Sequence, residues 1–400
     1  MQQHKKRAAS MGDFFGWLVL LGLLTLAVAV YRIAGVDVFI PSSEETSLGF
    51  IGDETIMIGV ILPFSGEGVV YGETMNRVFE IAASEINDQG GIRGRKLELV
   101  IEDGNCSRGG GAAAMERLLT KKNMRIVIGG FCDEESVGAL RTTPGHSVTL
   151  FSPVSRLANL GSQYYNFARA YPGDSQEGKA LAMLTYGDGK FVKAAVLYEN
   201  TDRSFGIYSA FKKEFERLGG ALLERQIDGT TNIDSMLSEI ISQKYDTLAI
   251  LTQTRKITAA VLDELPNFSK KNRFILSDFI VSDDELINKY STFIEGGLAV
   301  EFSDNFDNEK FEHLRDAYRT RYGTTLPYSK FARTVYDSLF IIRDAIIGSG
   351  YDEATIAKWL RGLFEWPGAS GLVTIDSNGD RISGYVPKIL NNGRLVSYKR

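Results

Sequence analysis

The sequence predicts an α/β protein of two lobes preceded by one N-terminal apolar segment, and three observations predict it. Ile56–Leu62 (IMIGVIL) is apolar except at Gly59, the pattern of a parallel strand covered on both faces. Helix-like and strand-like patterns then alternate from Gly72 to the C-terminal region. Ahead of them, Phe14–Val30 contains no charged side chain.

That N-terminal run is about 25 Å long as a helix, near the thickness of a hydrocarbon core. Lys5, Lys6 and Arg7 precede it, whereas Asp37, Glu44, Glu45 and Asp53 outweigh Arg32 after it. The positive-inside rule therefore puts the bulk of the chain outside the cytoplasm. The expected order is a short cytoplasmic N-terminus (1–13), a transmembrane anchor or signal sequence (14–33) and a tether (34–54). Ala27-Val28-Ala29 is a small-residue cleavage pattern, so a removed signal and a retained anchor both stay open. Pro41, Ser42, Ser43 and scattered acids without periodicity mark the tether.

Pro63 and Gly66 stop the first strand. From Gly72 to Asn87, Met75, Val78, Phe79, Ala82, Ala83 and Ile86 share one helical face. Gly90 and Gly91 end that helix, and Gly94 permits the turn into a second strand over Lys96–Glu102. A third strand follows in IVIGGFC, Ile126–Cys132. Beyond residue 170, strands are expected at Ala194–Tyr198, Ala221–Ile227 and Thr247–Leu251, with helices near Ser204–Leu218, Met236–Ser242 and Ile257–Leu265. These form a second βα lobe. Ala299–Phe302 and helices near Lys310–Tyr322 and Phe331–Ile347 come next, and Val373–Ile375 with Val386–Ile389 reads as a terminal hairpin.

With 400 residues and 44% hydrophobic content the chain can bury two cores. A net charge of −5 without a basic, aromatic-interleaved stripe argues against nucleic-acid binding. There is no GxxxxGK[ST] phosphate loop, no GxSxG elbow and no GxGxxG after the first strand. His4, His146 and His313 are scattered; His4 should lie outside the folded body, and His146 and His313 read as turn or solvated surface residues, not as general bases.

The succession PFSG (Pro63–Gly66), YGE (Tyr71–Glu73), Ile86-Asn87, GGIRG (Gly90–Gly94) and two cysteines resembles the type 1 periplasmic binding proteins for leucine, isoleucine and valine. The resemblance runs from about Ile56 to Arg400. It implies one leucine-binding-protein-like domain (55–400) of two Rossmann-like lobes joined by crossing strands, the periplasmic binding protein-like I arrangement. Lobe 1 would hold about 55–172 plus 301–372, and lobe 2 about 173–300 plus 373–400. One small molecule would lie in the cleft with no bond made or broken, so neither enzyme activity nor a cofactor or metal is expected. The implied function is an extracytoplasmic solute-binding protein of an ABC importer that captures an amino acid or similar small polar metabolite by lobe closure. Its partners would be an ABC permease and, through the N-terminal helix, the membrane. The alternative is a ligand-sensing ectodomain acting through a partner membrane protein, because the residues before the apolar run are too few for an output module.

Cys106 and Cys132 follow the second and third strands, in neighbouring turns. Family members carry a disulfide at matching positions; a metal or redox pair would call for CxxC spacing or histidine partners. Ligand residues are expected at the carboxyl ends of strands, where helix N-termini present unpaired N–H groups. Tyr71 corresponds to a cleft tyrosine of the family, with surface packing as the other reading. Asp133 stands where the amino-acid binders have a serine that holds the ligand carboxylate, and is also a good helix cap. Ser155 and Arg156 lie where the family grips the same carboxylate, and Arg156 either grips an anion or pairs with Asp133. Phe205 stands at the position of an aromatic cover, Asp278 at that of the acid that neutralises a ligand ammonium, and Thr254 beside Gln253 is a further candidate.

Overall fold

The computed structural model describes residues 55–267, 273–302 and 308–398; the expected cytoplasmic N-terminus, apolar anchor or signal, and tether lie outside them. Among the described residues no helix is long and apolar enough to cross a membrane.

Strand β1 (Ile56–Leu62) is buried along almost its whole length, as its unbroken apolar run requires. It sits inside an all-parallel sheet with β2 (Leu97–Asp103), β3 (Ile126–Ile128), β4 (Thr149–Ser152) and β5 (Phe167–Arg169), in the order β2-β1-β3-β4-β5. Gly59 interrupts the apolar run for a packing reason. A Cβ there would lie 2.9 Å from Val127 and 3.0 Å from Leu118, which belongs to the helix Arg108–Leu119 lying on this sheet. Leu118 joins Ile61, Val127, Leu150 and Leu140 of the helix Asp133–Thr142 in one apolar cluster. The helices Val69–Asp88 and Glu353–Leu360 also pack against this sheet, and Ser329–Ser349 packs on both of those helices.

A second sheet contains β6 (Lys193–Glu199), β7 (Ala221–Ile227), β8 (Thr247–Leu251), β9 (Arg273–Leu276) and β10 (Leu298–Phe302), all parallel. Two antiparallel strands, β13 (Tyr385–Asn391) and β14 (Arg394–Ser397), extend it past β10. Alternation along the strands divides its side chains between two cores. Ala195, Leu197, Leu248 and Ile250 face the helices Ile233–Ser242, Arg255–Glu264 and Asp284–Ile294. Ala194, Val196, Ala249 and Leu251 face Asp174–Met183 and Asp202–Arg217.

The expected terminal hairpin is corrected. Val373 belongs to β12 (Gly371–Val373), which pairs with β11 (Trp366–Gly368), whereas Val386–Ile389 lies in β13 between β10 and β14. Sequence proximity suggested the wrong partner because both segments are short and apolar, and the turn Asn391–Arg394 closes a tighter hairpin.

The chain leaves the first sheet after β5 and passes again near Arg381, and buried arginines join the two passes. Arg169 Nε donates to Asp380 at 2.7 Å, and Arg381 Nη1 donates to the Ala170 carbonyl at 2.9 Å. Burial pushes the Arg381 guanidinium down to about 10.

Candidate functional site

Both sheets turn the carboxyl ends of their parallel strands toward one cleft, where loops and helix N-termini supply the polar groups. Cys106 and Cys132, in the turns after β2 and β3, form a disulfide. Glu135 holds the same turns together: its carboxylate accepts from the Cys106 N–H at 2.8 Å and the Cys132 N–H at 3.0 Å. The helix that begins at Asp133 is thereby fixed in place.

The Asp133 carboxylate does more than occupy a helix start. One oxygen accepts three hydrogen bonds from the loop after β4: the Ser155 hydroxyl at 2.8 Å, the Arg156 N–H at 2.6 Å and the Leu157 N–H at 2.9 Å. Ser152 shapes that loop, its hydroxyl oxygen accepting from the Ser155 N–H at 2.9 Å. Burial works against the charge on Asp133, but Arg203, with Nε 3.7 Å from the second oxygen, and these hydrogen bonds outweigh it and lower the carboxyl below its ordinary range.

Arg156 points away from Asp133 and into the cleft. Its Nη1 and Nη2 engage the two oxygens of Asp278 at 2.7 and 2.9 Å, Nη2 also donates to Glu177 at 3.1 Å, and Nε to Asp174 at 3.3 Å. Only 14% of the Arg156 side chain is exposed, and Asp174, Glu177 and Asp278 are buried. Arg203 adds a second guanidinium, 3.3 Å from Asp174. Burial opposes ionisation of Asp278, yet Arg156, then Lys330, hold it well below the usual carboxylate range. Glu177 goes the other way: burial, then the charge of Asp278, pushes it well above its ordinary value. Two acids on one guanidinium are thus shifted in opposite directions, Asp278 toward the charged form and Glu177 toward the neutral one.

Beside this cluster runs a seam of rings. Tyr71 stacks on Phe131 with centroids 5.1 Å apart and meets Tyr328 at 4.7 Å and Phe331 at 5.8 Å. Phe331 lies 5.9 Å from Tyr171, over which the Arg156 guanidinium sits at 5.8 Å. Tyr328 takes a left-handed backbone (φ 52°) at the start of the Ser329–Ser349 helix, at a cost of about 1–3 kcal/mol. Lys330 follows in the first turn and feels Tyr171, Asp278 and Glu301. Among the described residues the buried hydroxyl of Tyr385 has no hydrogen-bond partner, and Arg156, Asp278, Glu177 and Tyr171 act on it electrostatically.

Of the residues singled out by sequence, Asp133, Ser155, Arg156 and Asp278 come together in one network, and Tyr71 joins the aromatic seam next to it. The guanidinium paired with Asp133 is Arg203, while Arg156 meets Asp133 only through its backbone. Phe205 is 55% exposed and lies beside Tyr198 and Tyr208, with ring centroids 6.3 and 6.0 Å away. Thr254 is tied to Glu199, donating its N–H at 2.9 Å and its hydroxyl at 2.6 Å. Both polar atoms of the neighbouring Gln253 amide are buried without a partner among the described residues. Sequence reasoning passed over Asp174, Glu177, Arg203, Lys330, Tyr171 and Tyr385. Asp174 and Arg203 had a usable signal, each lying in the first turn of a helix that packs beside the second sheet. Glu177 had none, since a glutamate inside an amphipathic helix ordinarily faces water.

Residues 55–386 match the periplasmic binding protein family. The chain is similar to the Leu/Ile/Val-binding protein homolog 1 of Brucella suis, at 23% identity over 335 residues, covering 83% of this chain and 89% of that protein. Among solved structures it is similar to a leucine binding protein, LivK, from Thermotoga maritima, with a TM-score of 0.67 and 24% identity, over 86% of this chain and 98% of that one. It is also similar to an ABC transporter substrate-binding protein from Desulfitobacterium hafniense in complex with Leu, with a TM-score of 0.70 and 24% identity, over 86% of this chain and 100% of that one. These likenesses show the type I α/β fold with its parallel sheets. The two-sheet architecture and the match over residues 55–386 together establish that this chain belongs to the periplasmic binding protein family, a family of solute-binding proteins.

Proposed function

We propose that this chain is the extracytoplasmic solute-binding component of an ABC importer, in which two lobes close over one small polar metabolite and a permease reads the closed shape. The observation that carries the reading is the network across the cleft: Asp133 and Arg156, beside the first sheet, meet Arg203, Glu177 and Asp278, beside the second. Charged groups from both sides converge at the carboxyl ends of the strands, where a bound solute would gain contacts with both lobes only on closure. Differential affinity for the closed form is what couples binding to the change of shape. The binding residues are Tyr71, Ser155, Arg156 and Asp278, with Asp133 as their organiser. Phe205 and Thr254 stand further out in the proposal, at the rim.

The charge-free run Phe14–Val30 and the basic residues before it support an N-terminal membrane anchor that tethers the binding body outside the cytoplasm. Small-angle scattering of the purified chain against a panel of small metabolites tests the binding reading. A decrease in radius of gyration with one compound, saturating at one equivalent, is the expected result. No closure with any compound would overturn it. Membrane fractionation with intact-mass measurement tests the anchor, which predicts an uncleaved N-terminus in the membrane fraction.

A further inference from the structure

Three donors of the loop after β4 converge on one point: the Ser155 hydroxyl and the Arg156 and Leu157 N–H groups reach the same Asp133 oxygen at 2.8, 2.6 and 2.9 Å. The loop is held in that shape from behind by Arg169 of β5, whose side chain is fully buried. Arg169 Nη1 donates to the Leu157 carbonyl at 2.9 Å and to the Ser155 carbonyl at 3.3 Å, while its Nε donates to Asp380 at 2.7 Å. Gly173 leaves room for the guanidinium, since a Cβ there would lie 2.6 Å from its central carbon. The Ser155–Arg156 peptide thus turns its carbonyl to a cation and its N–H to an anion. Because Arg169 and the Ser152 hydroxyl hold the loop independently of Asp133, the three donors form a preorganised anion cradle.

Such a cradle suits a carboxylate, and its occupant comes from the chain itself. A tethered carboxylate is present at high effective concentration and gives up no translational freedom, so a dissolved one competes with it poorly. Asp133 also stays charged, because Arg203 and the loop hydrogen bonds lower its carboxyl. Its second oxygen is placed differently. Arg203 Nε lies 3.7 Å from it, beyond hydrogen-bond reach, and 22% of the Asp133 side chain is exposed. Both oxygens of Asp278 are meanwhile engaged by Arg156. The occupied cradle therefore offers the cleft an acceptor where its bare loop would offer donors.

We infer that Asp133 is a specificity-determining residue: its carboxylate plugs the anion cradle, so the cleft rejects a solute that would place a carboxylate there and favours a neutral or cationic solute that donates a hydrogen bond to the second Asp133 oxygen. The inference rests on the solute-binding reading above and narrows its ligand class. Rejection has two sources, donors already taken and repulsion between like charges.

The test is thermal melting of the full chain in detergent, titrated with sodium acetate against sodium chloride at equal ionic strength, for the wild type, Asp133→Ala and Asp133→Ser. Acetate is expected to fill the emptied cradle and raise the melting temperature of both variants by about a few degrees, saturably, while leaving the wild type unchanged. Adding Ser155→Ala to either variant is expected to weaken acetate roughly tenfold, a dependence that general stabilisation by salt would not show. No acetate-specific shift in either variant, or an equal shift in the wild type, overturns the inference. Scattering of the wild type needs no variant to fold and separates the two levels. Closure on L-leucine, which carries a free carboxylate, removes the specificity claim and leaves the solute-binding reading standing. Closure on a donor-bearing compound without a carboxylate, and none on L-leucine, supports both, whereas no closure on any compound removes the solute-binding reading and the inference with it.

Discussion

Arg156 and Asp278, 122 residues apart, form a two-point ion pair across the cleft, with Nη1 2.7 Å from one carboxylate oxygen and Nη2 2.9 Å from the other. The pair joins the loop after β4 to the turn after β9, one element from each sheet. A buried ion pair of this kind is weak evidence for added stability, because desolvation offsets most of its attraction. Removing one member is a different matter, since the other charge is left buried without a partner.

Arg156→Ala is therefore expected to destabilise the protein by about 3–5 kcal/mol, as three acids lose their shared guanidinium. Arg156→Lys should recover only part of this, because an ammonium cannot span both oxygens of Asp278 as the planar fork does. Urea unfolding of both variants gives the comparison. Equal midpoints for wild type and Arg156→Ala would mean that the pair contributes nothing net to the fold.

Two of the three acids on Arg156, Glu177 and Asp278, give opposite pH dependences. Glu177 is raised above its ordinary 4.5 in the folded state, so its contribution is complete below that value and is lost as pH rises through the folded pKa. Asp278 is lowered below its ordinary 3.8, so its contribution is present above that value and is lost as pH falls through the folded pKa. Melting temperature against pH should accordingly fall less on the alkaline side in Glu177→Gln, and less on the acid side in Asp278→Asn. Identical profiles for the three proteins would contradict the assignment.

Breaking the Cys106–Cys132 bond should cost about 3–4 kcal/mol by the chain-entropy account, given a loop of 26 residues. The effect is expected to extend to the site, because Cys132 immediately precedes Asp133. Calorimetric melting of the Cys106→Ser/Cys132→Ser double variant, compared with wild type before and after reduction, measures it. Coincident melting curves for oxidised and reduced wild type would count against a stabilising role.

Tyr71→Ala removes ring contacts to Phe131, Tyr328 and Phe331. Tyr71 is only partly buried, so a loss of about 1–2 kcal/mol is expected, below the usual cost for a fully buried aromatic ring. Loss of ligand affinity should exceed the loss of stability if the ring faces the solute. Thermal melting with and without a saturating ligand separates the two, and a ligand-induced shift equal to that of wild type would place Tyr71 outside the binding surface.

What the sequence determined by itself was everything carried by local periodicity. The apolar run at Ile56–Leu62 is β1, the one-sided apolar spacing through Ile86 lies in the helix Val69–Asp88, and the helices expected near Lys310–Tyr322 and Phe331–Ile347 lie within a residue or two of those observed. Hydrophobic spacing and glycine or proline stops act over a few residues, so a short window contains the cause. The turns after strands were legible too, which is why Asp133, Ser155, Arg156 and Asp278 could be singled out together. Their partners were decided by the tertiary structure. That the Arg156 guanidinium reaches Asp278 and not Asp133, that Glu177 turns from an ordinary helix glutamate into a buried acid with a raised pKa, and that Val373 pairs with Trp366 all depend on distances set when both sheets are in place. A side chain's charge state follows from its burial and its neighbours in space, and neither is a property of the residues beside it in the chain.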